Sequence, residues 1–127
     1  MLTAGDTRTC KGYTERDVGF EGAEGHVPAL LLIPDRSSGG GVVVHHQHAS
    51  QWHLGKSEVA GRAGDPWQAF GPALATRGVT VLAADAPGFE DRRRGPAGTD
   101  PRPTDRDHYL AGMAHRLVDV PGDVVSA

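Results

Sequence analysis

Cysteine occurs once in these 127 residues, at Cys10. No internal disulfide can form, which fits a reducing compartment. Aromatic residues make up only 6% of the chain, so any core must be mostly aliphatic and small. There is no basic excess either. The formal net charge is −3, and such a chain has no field to draw nucleic acid or an anionic membrane. No apolar run is long enough to span a bilayer. The first twelve residues lack the apolar stretch of a secretory signal. The expected location is therefore the cytoplasm, with no nucleic-acid or membrane partner.

What is present is globular: 38% hydrophobic, 23% charged, with 18 glycines and 9 prolines that imply many turns. The length suits one domain, 1–127. Residues 13–20 alternate loosely and residues 26–33 are apolar up to Pro34, which predicts an antiparallel hairpin across the Gly22 to Gly25 turn. Residues 41–46 and 79–84 are near-continuous apolar runs, as expected of parallel strands buried on both faces. Between them, Asp65-Pro66-Trp67-Gln68 is a helix start with a capping Asp and Pro at the first helical position. Trp67, Phe70 and Leu74 would share a face of that crossover helix, and Pro72 would kink it or split it at Gly71-Pro72. A last helix is expected from Thr104 to about Val118, with Leu110, Met113, Ala114 and Leu117 on one stripe. Residues 1–12 read as a frayed end and 119–127 as an irregular tail. The expected fold class is α/β.

Three stretches carry candidate chemistry. His45, His46, His48 and His53 lie within nine residues. His46, His48 and His53 could converge on a metal, whereas His46 and His48 could instead hydrogen-bond loop backbone and shape a pocket. Gly55-Lys56-Ser57 matches the end of a phosphate-binding loop, but Ser50 stands where that motif has its first glycine. Arg92-Arg93-Arg94 follows Glu90-Asp91 and either pairs with those acids or offers a guanidinium fork to a substrate carboxylate. Cys10 has no basic partner nearby in sequence and reads as an inert thiol. His108 and His115 read as a solvated or partly buried helix face.

The order His46-Gln47-His48, then Leu54-Gly55-Lys56-Ser57-Glu58, then Val79-Thr80-Val81-Leu82-Ala83-Ala84-Asp85-Ala86-Pro87-Gly88-Phe89-Glu90-Asp91-Arg92 resembles the α/β-hydrolase fold. The nearest branch is the dienelactone hydrolase and acetyl-xylan-esterase-like group, and the resemblance covers roughly 13–118. It implies a partial α/β-hydrolase fold with sheet order 1-2-4-3 over the four strands above, and a small-molecule ester substrate. It implies backbone oxyanion donors at Gln47 or His48, and substrate contacts at His46, Phe89 and Arg92. No cofactor is implied. The family's nucleophile sits on a G-x-S-x-G elbow, and no such sequence occurs here. The expectation is a truncated hydrolase, N-terminal part only, with its third strand left as an open edge through which copies could associate. The alternative is a small His-rich metal-binding or phosphate-binding module.

Overall fold

The computed structural model describes residues 2–95 and 98–119. The strands are β1 (Thr3–Thr9), β2 (Tyr13–Gly22), β3 (Gly25–Pro34), β4 (Gly41–His45) and β5 (Thr80–Ala84), and they form one sheet in the order β1-β2-β3-β5-β4. The hairpin of β2 and β3 turns through Ala23 and Glu24, with Gly22 opposite Gly25. Gly25 has a φ of +100°, which a side chain would strain. β5 runs antiparallel to β3 and parallel to β4. Being flanked on both sides, β5 buries Val81 and Ala83 completely. With Leu30 and Leu32 of β3, Tyr13 of β2, Ala60 and Ala75, Val81 makes the core.

Three expectations need correction. The sheet has five strands in the order 1-2-3-5-4, not four in the order 1-2-4-3; the four expected strands keep their order among themselves, and one more is added outside them. The added strand is β1, in a stretch expected to be frayed. It has no apolar face to betray it; every residue but Arg8 is exposed. Its ladder to β2 is reinforced by Arg8, whose guanidinium meets Glu15 at 2.7 Å and Asp17 at 2.7 Å. Lastly, β4 is not buried on both faces. It forms the sheet edge, and Val43 is 61% exposed.

The crossover is also broken differently. It consists of α1 (Lys56–Val59), a single 3₁₀ turn at Pro66–Gln68, and α2 (Phe70–Ala75). Asp65 caps the turn by accepting from the Trp67 N–H at 2.9 Å. The break falls at Ala69, whose ψ of 59° is not helical. Trp67 and Phe70 are exposed, so of the expected apolar face only Leu74 packs, partly buried against the core. Gly71 and Ala75 are buried instead. A Cβ on Gly71 would stand 2.8 Å from the Val59 carbonyl oxygen and 2.9 Å from Leu32, which is why the residue there is glycine.

Pro72 therefore lies in the first turn of α2, where its missing N–H would have had no helical partner anyway. Pro72→Ala should not relieve a kink. It should lower stability by about 0.4–1 kcal/mol, through the freer unfolded chain. A raised melting temperature would show that the proline strains the helix.

The last helix, α3, spans Asp105–Asp119. Its expected stripe is not buried: Leu110, Met113 and Leu117 are all exposed. Contacts from Tyr109, Asp105 and Arg116 hold it to the rest. Of the expected tail, residues 120–127 lie outside the described residues. No helix among the described residues is long and apolar enough to cross a membrane.

Candidate functional site

The C-terminal end of β4 delivers the chain into the loop His46-Gln47-His48. The strand stops at His45, so His46 and His48 do not share a strand face. Two bonds fix His46. The Ala86 N–H donates to its Nε2 at 3.0 Å, so Nδ1 carries the proton and donates to the Gln47 carbonyl at 2.9 Å. The Gln47 side chain donates to Glu58 Oε1 at 3.0 Å. Glu58 is itself buried and also takes the Asp65 N–H at 2.9 Å. The loop is thus pinned from both sides. The backbone N–H groups of Gln47 and His48 donate to no acceptor among the described residues. That arrangement leaves them available to a ligand.

An aromatic cluster stands over this loop. The His48 ring lies 5.2 Å from Phe89, 5.2 Å from Tyr109 and 5.8 Å from Trp52, each edge to face. His46 packs on Phe89 at 4.8 Å. Such tilted pairs suit the ring quadrupole. Phe89 is buried at its centre. The indole N–H of Trp52 is buried with no acceptor among the described residues. Neither Trp52 nor Tyr109 was foreseen. Tyr109 reaches the cluster from α3, twenty residues beyond Phe89, and no local pattern announces it.

Beneath the loop lies a buried charge cluster. The Lys56 ammonium meets Asp85 at 2.8 Å, Glu90 at 2.6 Å and Asp91 at 2.6 Å. The backbone N–H groups of Gly55 and Ser57 both donate to Glu90 Oε1 at 3.0 Å, and that of Lys56 to Asp85 Oδ1 at 2.8 Å. The Ser57 hydroxyl adds a bond to Glu90 Oε2 at 2.8 Å. These donors hold Glu90 at a φ of +42°, a region few residues without special support adopt. Burial pushes the Asp85 carboxyl up to about 6, and the neighbouring Glu90 charge adds to that, against the pull of Lys56. Burial would lower the Lys56 ammonium's pKa. Asp85 and Glu90 override it and hold that pKa above its ordinary value.

The phosphate-loop reading is thereby overturned. The amides and the ammonium of Gly55-Lys56-Ser57 already face an anion, and it is the protein's own pair of carboxylates. α1 also has only four residues. The histidine metal reading fails on geometry as well, because both ring nitrogens of His46 are engaged and His46, His48 and His53 do not form a converging ligand set among the described residues. The group that does converge is Asp85, Glu90 and Asp91, within 4.8 Å, and Lys56 fills the space between them.

The arginines also pair otherwise than expected. Glu90 and Asp91 are taken by Lys56. Arg93 turns to Asp105 at 2.9 Å and to the carbonyls of Glu90, Gly98 and Asp100. Arg92 donates to the Asp85 carbonyl at 3.1 Å. The structure therefore sets His46 and Phe89 together with Gln47 and His48, and ties Arg92 to the Asp85 carbonyl just after β5.

The fold is shared with a solved structure, a candidate acetyl xylan esterase from Bacteroides fragilis. The two superpose with a TM-score of 0.59 at 18% identity, over 89% of this chain and 32% of the other. This chain thus spans about a third of that protein's length. No family model and no curated protein matches the sequence.

Proposed function

We propose that the chain is the N-terminal part of a carboxylic-ester hydrolase of the dienelactone hydrolase type, and that it contributes the oxyanion site rather than the nucleophile. The observation that carries this reading is the pinned loop after β4, whose Gln47 and His48 N–H groups have no acceptor among the described residues. Donors fixed in advance where negative charge develops stabilise a tetrahedral intermediate. The fold shared with a candidate acetyl xylan esterase supports the same reading. His46 positions the loop. Phe89 and Arg92 line the substrate side. An ester carbonyl would lie against Gln47 and His48, under the His48, Trp52 and Tyr109 rings. The serine and its base would come from polypeptide carrying a G-x-S-x-G elbow, which this sequence lacks.

The test has two arms. A fluorophosphonate probe should label no serine of this chain, and stoichiometric labelling of any would overturn the division of roles. In a protein that joins this chain to an elbow, Gln47→Pro and His48→Pro each delete one N–H. The one that serves the oxyanion should lower kcat on p-nitrophenyl acetate by about 10²–10³-fold, with little change in KM. If neither variant loses kcat, the oxyanion assignment is wrong.

A further inference from the structure

A cavity of about 120 Å³ opens between the loop after Gly88 and α3, and four guanidiniums line it. Arg93 is neutralised within the wall by Asp105, and Arg116 by Glu24 at 2.5 Å from outside the lining. Neither of the other two has a carboxylate within ion-pair distance among the described residues, although the charges of Glu24 and Asp85 reach Arg92. Arg92 makes one hydrogen bond, to a carbonyl, and Arg94 makes none among the described residues. The Arg92 guanidinium is half-buried, and burial pulls its pKa below the ordinary value; the charges of Glu24 and Asp85 oppose that shift and the charge of Arg116 adds to it. A guanidinium bonded to a single carbonyl has donors left over. His108 and Tyr109 complete the wall, and the Tyr109 hydroxyl has no hydrogen-bond partner among the described residues.

We propose that this cavity binds a small organic carboxylate, with the Arg92 and Arg94 guanidiniums taking its oxygens and the Tyr109 ring lying against its carbon body. A guanidinium fork matches the planar carboxylate, and bonds to an ionised acceptor are the stronger kind. Gly88 packs directly on the Tyr109 ring, where a Cβ would stand 3.0 Å away, so the loop and the ring close one end of the cavity. The assignment rests on the reading of Arg92 as a ligand contact and not on ester hydrolysis. The cavity adjoins the His48 cluster through Tyr109, so a bound carboxylate would sit one ring away from the oxyanion loop.

The experiment is isothermal titration of the chain at low ionic strength with acetate, succinate and inorganic phosphate. Binding has no turnover step, so its result is independent of the hydrolase test. The carboxylates should bind one to one at millimolar concentration or better, and more tightly than phosphate. Arg92→Gln should weaken them by about tenfold or more, equivalent to about 1.4 kcal/mol. Arg94→Gln, at an exposed position with no hydrogen bond or ion pair among the described residues, should weaken them several-fold without touching the fold. Arg36→Gln removes the same charge from the exposed β3–β4 loop and should change nothing. No saturable binding, equal losses in all three variants, or tighter binding of phosphate would each overturn the proposal.

Discussion

Replacing Lys56 with methionine is expected to remove most of the stability of this domain. The side chain is 7% exposed and, among the described residues, is the one cation paired with the carboxylates of Asp85, Glu90 and Asp91. Methionine fills a similar volume, so little of the loss would come from a cavity. The loss comes from the carboxylates, which would stay buried with no counter-charge. Removing one partner of a buried ion pair costs about 3–5 kcal/mol, and whole domains are stable by only about 5–15 kcal/mol. The cluster also joins distant parts of the chain. It ties the turn after β5 to the loop before α1, so its failure would release the His46 to His48 loop from below. Thermal unfolding should show a melting temperature lowered by well over ten degrees, or no cooperative transition. A variant as stable as the parent would mean that water reaches these carboxylates.

The same cluster sets a pH dependence. The Asp85 carboxyl titrates near 6 in the folded protein, and near 3.9 in an unfolded chain. Between those values the folded state holds the extra proton, so stability falls as pH rises through that window. Asp17 and Asp105 work in the opposite sense. Arg8 lowers the first. For the second, the Arg102 N–H and the Arg93 guanidinium outweigh burial. Their contribution is lost only as pH falls below the ordinary carboxylate range. Lys56→Met should steepen the loss between pH 5 and 7, since Asp85 would lose the counter-charge that opposes its uptake of a proton.

Much of this was legible in the residues, and the misses share a cause. The hairpin, the parallel pair and the capping Asp65 follow from local pattern, which acts over a few residues. Leu30, Leu32 and Val81 are core residues because their own strands are apolar. The partners of Lys56 could not be read that way. They lie about thirty residues downstream, and burial of a lysine is decided by which acids the turn after β5 folds over it. The Gly-Lys-Ser signature did indicate an anion nest; it could not say that the anion is Glu90. Tyr109 likewise joins His48 and Phe89 only through α3. β1 was missed for another reason. An edge strand with both faces exposed has no hydrophobic alternation, and its signal is Arg8 set to fork onto Glu15 and Asp17, which appears only once the register is known.

The outer edge of β4 is expected to make the chain self-associate. β4 pairs with β5 alone among the described residues, which leaves its other row of N–H and C=O groups unpaired. Val42 and Val43 are exposed, at 38% and 61%, beside a shallow apolar depression shared with Thr80 and Leu82. An open edge with β-branched apolar side chains is a template for another strand. Nothing in Gly41–His45 blunts it, for the segment has no lysine, proline or inward charge. A second copy is the simplest occupant, since two such edges can pair antiparallel about a twofold axis, Val43 meeting its equivalent on the axis and Val42 meeting Val44. Sedimentation velocity should show concentration-dependent dimer or larger species. Val43→Lys should return the chain to monomer, because two lysines would then face each other across the axis, while leaving the buried face of β5 untouched. A parent chain that stays folded and strictly monomeric at high micromolar concentration would sink the idea and require that something else covers this edge.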